Sequence, residues 1–592
     1  MAGVHSPRPL KGVIIILFYD FEVFKHDWLV VVLDMTRKQE HVIINDVDKL
    51  QALYDENKKD IWVGFNSRHY DQWILKGILC GFDPKRINDF IIVKGNPGWK
   101  FSSMLRSIPL NNYDVMTNID RGLKSFEGFM GNNIKETSVP FDIDRKLTDA
   151  EIAETVKYCR HDVEQTVEVF LHRIEDFNGH MGLVKLACEG KQLDLSLISK
   201  TKPQLSALIL GAYQQNQFDD EFDIDFPDTM RISKYQYIVD WYRNPKNRRY
   251  IGDDGKKMQL ETMVAGVPHV FGWGGVHGAL EKYHGEGYFI NMDVASLYPS
   301  LMIQYNLHSR QIKDPAKYVQ IYQTRLAYKA AKNPLQLPLK LVLNSTYGAM
   351  KDANNGLFDP LQANRVCVYG QLLLVDLMEH LEPFCEVIQS NTDGVLVKMP
   401  AGYDEDEWFN RVDDAAFEWE QRTRLKLEFD EYRKVFQKDV NNYIVIDGNG
   451  KYKSKGAYVK KLNDLDYDLP ILNKALVDYM VHGIPVEETV LGCDDLKEFQ
   501  LVSKISSKYA GILHGDRTIK EKCIRIFAST RATDSGVKKI SMRTGRPEKV
   551  TNSPEHCFIF NDEVNGIKCP AYLDKQWYID FAKKRLKDFG VM

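Results

Sequence analysis

The sequence predicts a multidomain protein of mixed class, an α/β part followed by an α+β part. Three observations predict it. At 592 residues the chain is longer than one hydrophobic core usually organises. Near the N-terminus, apolar runs of strand length (13–18 and 28–33) precede a stretch whose apolar residues Ile152, Val156, Cys159, Val163 and Val167 recur at helical spacing. In the middle, 288–292 reads as a buried strand, 319–331 and 335–343 as helices, and 387–390 with 395–397 as a β-hairpin around a tight turn.

Composition is that of an ordinary globular protein, 44% hydrophobic and 27% charged. The first residues, MAGVHSPRPLKG, carry no apolar core of signal type, and the apolar runs are too short to span a bilayer. The expectation is a cytoplasmic protein. Nine scattered cysteines with no CxxC pair argue against a disulfide framework and against a structural zinc site. The net charge of −4 counts mildly against a nucleic-acid partner, but two local basic stretches stand out. One holds Lys451, Lys453, Lys455, Lys460 and Lys461. The other runs from Arg517 to Lys549 and includes Lys520 and Arg525. Taken alone, each reads as a solvated face.

In a strand, residues two apart share a face, so Asp20 and Glu22 point the same way. Side by side at a strand end they repel unless a cation lies between them, and Mg²⁺ or Mn²⁺ suits all-oxygen ligands. By itself a D-x-E pair is more often an exposed strand end. Further acids add to it: Tyr70-Asp71 follows the apolar segment ending in Asn66 and opens a helix over 72–79. Leu147-Thr148-Asp149 starts another helix, on which Tyr158 and Asp162 are four apart and share a face.

This set, Asp20, Glu22, Asp71, Asp162 and Tyr158, resembles the DEDDy 3′→5′ proofreading exonucleases over roughly the first 175 residues. The resemblance implies two metals held by the four acids and a water oriented by Tyr158. It also implies DNA contacts from Asn66, from Leu123 in the segment Gly122–Glu127, and from Lys146, with Arg145 as the close alternative.

A second set lies further on. The strand 288–292 delivers Asp293-Val294-Ala295-Ser296-Leu297-Tyr298-Pro299-Ser300. An acid followed by a small-residue turn suits a metal and a triphosphate. Arg325 and Lys329 share one helical face, and Lys340, Asn344 and Tyr347 another. Arg325 and Lys329 alone read as a solvated face. Asn391-Thr392-Asp393-Gly394 alone reads as an ordinary turn.

Together, D-x-x-S-L-Y-P-S, K-x(3)-N-S-x-Y-G and the hairpin T-D resemble motifs A, B and C of the family B DNA polymerases, in order. The resemblance implies an RNase H-like exonuclease domain followed by a right-hand palm, fingers and thumb. The boundaries are 1–175 exonuclease, 176–285 connecting region, 286–310 palm, 311–348 short fingers, 349–465 palm and 466–592 thumb. It implies Asp293 and Asp393 as catalytic acids holding two metals, with Val294 as a further metal ligand. It implies dNTP contacts from Ser296, Leu297, Tyr298, Arg325, Lys329, Lys340, Asn344 and Tyr347, Tyr298 being the steric gate. It implies DNA contacts from Gly274 and Gly275 in GWGGVHG, and from Tyr443, Lys453 and Lys455. In that setting both basic runs become duplex contacts.

Two positions depart from the family pattern: Asn391 where an acid is usual, and Asn441 where a lysine is usual. The implied function is template-directed extension of a primer 3′-OH with proofreading, using Mg²⁺ (two per active site, Mn²⁺ substituting). The implied partners are primer-template DNA, dNTPs and replication accessory proteins, with no membrane. The compact length resembles bacteriophage enzymes, hence a monomer in a host cytoplasm. The alternative is an exonuclease whose polymerase-like half only binds DNA.

Overall fold

The structure, a computed structural model, describes residues 14–116, 121–215, 219–519 and 521–592. The expectations for Val13 and Lys520 fall outside them.

The N-terminal sheet has five strands, β1 Ile16–Val23, β2 Trp28–Asp34, β3 Gln39–Ile44, β4 Ile61–Gly64 and β5 Asn111–Asp114, in the order β3-β2-β1-β4-β5. β1 pairs antiparallel with β2 and parallel with β4, so β1 is central and buried on both faces. Period-two alternation sorts its residues. Leu17, Tyr19, Phe21 and Val23 pack towards the helix Asp71–Leu79. Phe18 faces the other way, against Phe170 of the helix Asp149–His172. Asp20 and Glu22 share the Phe18 side. The sequence reading placed these acids on one face at a strand end, and pairing with β2 from Leu17 to Val23 holds Asp20 and Glu22 in the last rungs of the ladder.

The helix Asp149–His172 begins where the sequence predicts, with a capping box between Thr148 and Glu151. Cys159 and Val163 of the expected stripe are fully buried.

The central sheet has nine strands: β6 Gln259–Val264, β7 Val267–Gly272, β8 His277–Ala279, β9 Tyr283–Val294, β10 Glu386–Ser390, β11 Gly394–Lys398, β12 Leu427–Asp439, β13 Asn442–Ile446 and β14 Tyr452–Lys455. Their order is β14-β13-β12-β9-β11-β10-β8-β7-β6, every pair antiparallel. On β9, Tyr288, Ile290, Met292 and Val294 join the main core, which contains the long buried helix Pro360–Leu381. Phe289 faces the opposite side, and Asn291 and Asp293 share that side by alternation.

The expected helices are Pro315–Ala330 and Gln336–Ala349, packed on each other; the latter also packs on Ile174–Ala187 and Lys202–Ile209.

The C-terminal region has its own core and three helices, Pro470–His482, Val486–Gly492 and Lys575–Asp588. Its strands are β15 Leu501–Lys504, β16 Tyr509–His514, β17 Arg517–Ile519, β18 Cys523–Ala528, β19 Val537–Ser541, β20 Pro547–Lys549 and β21 Cys557–Ile559. They form two sheets, β15-β18-β21 and β17-β16-β19-β20.

One member of the second basic run is misread by the sequence. Arg525 is fully buried, so its guanidinium is not presented to a duplex at the surface. Its guanidinium donates to the carbonyls of Gly128, Asn132, Phe560 and Asp562. Gly128 belongs to the helix Leu123–Met130, so this arginine fastens the C-terminal region to the N-terminal one. Among the described residues no helix is long and apolar enough to cross a membrane.

Candidate functional site

The structure brings two groups of acids together, one on each large sheet.

In the first, Asp20 and Glu22 of β1 meet the helix Asp149–His172. Asp71 stands at the first position of its own helix and accepts the Phe21 backbone N–H at 3.2 Å. Asp71 and Asp162 are 2% and 9% exposed, so neither acid is hydrated as a free carboxylate would be. Burial, then Asp71, Glu22 and Asp162, push Asp20 well up. Burial, then Asp162 and Asp71, push Glu22 well up. Burial moves Asp71 to about 7. It moves Asp162 to about 6, against the pull of Lys124. Tyr158 is raised by burial and then by Asp162, Glu22 and Asp20, so its hydroxyl senses three of the four acids.

Two residues of this cluster were not joined to the acids by the sequence reading. Cys159, expected only as core, lies within 4.8 Å of Asp20 and Glu22 by ligand atoms. Burial raises its thiol well up, so it stays protonated. It points at the Asp20 backbone oxygen (3.3 Å) and carboxylate (3.7 Å), so it steadies Asp20. Lys124 donates to Asp162 at 2.5 Å and to Glu127 at 3.0 Å, with its ammonium 4.6 Å from the Tyr158 ring centre. Burial opposes its charge, yet Asp162 and Glu127 raise its pKa overall. The i,i+3 spacing of Lys124 and Glu127 was the available signal for that pair, whereas Asp162 is 38 residues away and no local spacing marks it.

Asn66 sits in a left-handed turn (φ 60°), its N–H and that of Arg68 bonded to Asp114. With Leu123 it lines a groove whose walls include Asp20 and Asp162. Lys146 is exposed and does not line that groove. Arg145, the alternative, is engaged by both oxygens of Glu151 at 2.8 Å.

In the second group, Asp293 pairs across β9–β11 with Gly394, next to Asp393 in the hairpin turn. The Val294 N–H donates to the Asp393 carbonyl at 2.7 Å, closing the two segments together. The Val294 side chain is buried in the core, which leaves only its backbone for any ligand. The Asn391 side-chain oxygen accepts the N–H groups of Asp393 (3.1 Å) and Gly394 (3.0 Å) and so shapes the turn. Asn291 donates to Asp293 Oδ2 at 2.8 Å, while Oδ1 is buried with no hydrogen-bond partner among the described residues. Burial, then Asp393, raise Asp293 to about 6. A buried carboxylate oxygen left unpaired and facing a second acid is the donor set a hard divalent cation satisfies.

A Cβ on Gly394 would stand 1.9 Å from Asp293 Oδ1, so glycine is required here for the carboxylate to keep its place. A Cβ on Gly275 would come 2.8 Å from Thr392 Oγ1, which sets the GWGGV segment against the same turn. Gln371 holds that segment by donating to the carbonyls of Gly272 (2.8 Å) and Gly274 (2.7 Å).

One cavity of about 120 Å³ joins Asp293 to Tyr443, Lys453 and Lys455. It also contains Asp430, which pairs with Lys453 at 2.8 Å and which sequence reasoning missed. The period-two run Glu428-x-Asp430-x-Tyr432 on β12 was the available signal.

Ser296 takes a left-handed conformation (φ 52°) before the helix Leu297–Gln304, and its hydroxyl accepts from Arg325 at 2.9 Å. Lys329 lies 3.6 Å from Glu428. The rings of Tyr298 and Tyr347 are 4.2 Å apart, so motifs distant in sequence meet here. Leu297 is buried in the core. Lys340 and Asn344 are exposed on the same helix as Tyr347 and pair with no side chain among the described residues.

No family model matches the chain, and no curated protein does. Among solved structures the chain is distantly similar to the family B DNA polymerase from the hyperthermophilic archaeon Pyrobaculum calidifontis. The identity is 14%, the likeness covers 99% of this chain and 79% of that one, and the TM-score is 0.39.

Proposed function

We propose that the chain is a DNA-dependent DNA polymerase with its own 3′→5′ exonuclease. The observation that carries this reading is the second acid pair. Asp293 Oδ1 is buried without a partner among the described residues, beside Asp393 and in a cavity shared with Tyr443, Lys453 and Lys455. Carboxylates alone repel phosphate, so acids set among cations make sense when metals intervene.

Asp293, Asp393 and the Val294 carbonyl would hold Mg²⁺ or Mn²⁺, which when bound lowers the pKa of a primer 3′-OH and offsets charge on departing pyrophosphate. The residues of the chain supply the rest. Arg325, Lys329 and Lys340 attract the triphosphate. The Tyr298–Tyr347 pair walls the place of the sugar and nascent base pair and excludes a 2′-OH. Tyr443, Lys453 and Lys455 hold the primer terminus.

The first acid set supports the exonuclease. Its sheet order β3-β2-β1-β4-β5, with only β2 reversed between β1 and β3, supports an RNase H-like domain. Asp20, Glu22, Asp71 and Asp162 would hold its metals, and Tyr158 would orient water.

The test is a 5′-labelled primer on a longer template with Mg²⁺. Extension with dNTPs and shortening without them are expected. Shortening in both lanes would overturn the polymerase reading and favour an exonuclease with a DNA-binding module.

A further inference from the structure

The groove above Asp20 and Asp162, about 590 Å³, has a second wall that does not belong to the N-terminal region. Val502, Lys504, Ile505 and Ser506 of the C-terminal region form it. The backbone there is firmly held. Lys504 ends β15 and pairs with Cys523 of β18. The Cys523 thiol donates to the Lys124 carbonyl at 3.4 Å, and Gln500 donates to the Phe129 carbonyl at 3.1 Å. Both carbonyls belong to the helix Leu123–Met130, whose first turn also lines the groove. Lys504 therefore stands on a strand welded to the opposite wall.

Its ammonium fills the space that a side chain at residue 122 would occupy. A Cβ on Gly122 would lie 2.2 Å from Lys504 Nζ. Arg121, beside that glycine, lines the groove too, its guanidinium 5.5 Å from the Phe129 ring centre. Neither Lys504 nor Arg121 forms an ion pair with an acid of the described residues, whereas Lys124 deeper down is tied to Asp162 and Glu127. A groove with acids at its floor and two uncommitted cations and a hydroxyl at its mouth suits an anionic chain whose end reaches the floor.

We propose that Lys504, assisted by Ser506, is the C-terminal region's contact with the phosphodiester backbone of a DNA strand whose 3′ end reaches these acids. The proposal rests on reading the first acid set as an exonuclease. Lys504 is a binding residue here, distant from the bond that is cut.

The test uses the full chain and a 5′-labelled single-stranded oligonucleotide with Mg²⁺. Lys504→Ala should raise KM for degradation about fivefold, the size of one charge-assisted phosphate contact, with kcat within about twofold. Lys504→Arg should restore KM. In an Asp162→Asn background, which binds without cutting, Lys504→Ala should make the logarithmic salt dependence of binding shallower by about 0.7. An unchanged KM and salt slope in Lys504→Ala, with wild-type protein degrading the strand, would overturn the proposal alone. A wild-type protein that leaves the strand intact in both Mg²⁺ and Mn²⁺ would overturn the exonuclease reading and the proposal with it.

Discussion

At the scale of single residues, Gly394 is the glycine most directly tied to the Asp293 carboxylate. With its Cβ only 1.9 Å from the Asp293 carboxylate, Gly394→Ala must turn that carboxylate away or open the β9–β11 pair. We expect primer extension to fall at least tenfold with exonuclease activity preserved, since about 1.4 kcal/mol of misplacement is tenfold in rate. The acids of β1 lead to a pH prediction. Asp71 and Asp162 titrate near 7 and 6, and Asp20 and Glu22 are also raised. Their unfolded values lie near 4, so between about pH 4 and 7 the folded protein holds more protons than the unfolded one. The contribution of these four acids to stability without metal is greatest below that window and is lost as pH rises through the folded values. Asp71→Asn, which keeps an acceptor for the Phe21 N–H, should therefore raise Tm at pH 8 in chelator and reduce the gain on adding Mg²⁺, by differential scanning calorimetry. An unchanged Tm in both conditions would count against a strained acid cluster.

At the scale of elements, local pattern carried some features and missed others. The D-x-E pair, the capped helix bearing Tyr158 and Asp162, and the hairpin holding Asp393 were legible because period two and period 3.6 are local signals. The strand end bearing Asp20 and Glu22 was legible too, since β1 stops at Val23. Cys159 and Asp430 were missed. Each gains its role from a partner strand or helix, and one sequence does not show which faces meet. Arg525 reads as one more cation in a basic run but satisfies four carbonyls in the interior. Burial lowers it to about 10, which still leaves it charged at neutral pH. Arg525→Met would orphan those carbonyls at about 1–3 kcal/mol each where water cannot replace the donor. The expected result is earlier proteolytic cleavage between the two regions and loss of single-strand degradation.

At the scale of the whole molecule, two sheets of different topology each present acids flanked by cations, and the C-terminal region touches the first through Lys504 and Arg525. The order of the two sites along the chain was readable from motifs. The closure of the first site by residues more than 300 positions away was not, because no local pattern encodes a contact such as that between Arg525 and Gly128. The central claim is that the chain contains two separate metal-dependent sites. The most direct measurement compares Asp393→Asn and Asp162→Asn with wild-type protein on one labelled primer-template, in Mg²⁺, with and without dNTPs. The account requires Asp393→Asn to lose extension and keep shortening, and Asp162→Asn to do the reverse. Both activities lost in either variant that remains folded, or both retained, would contradict it.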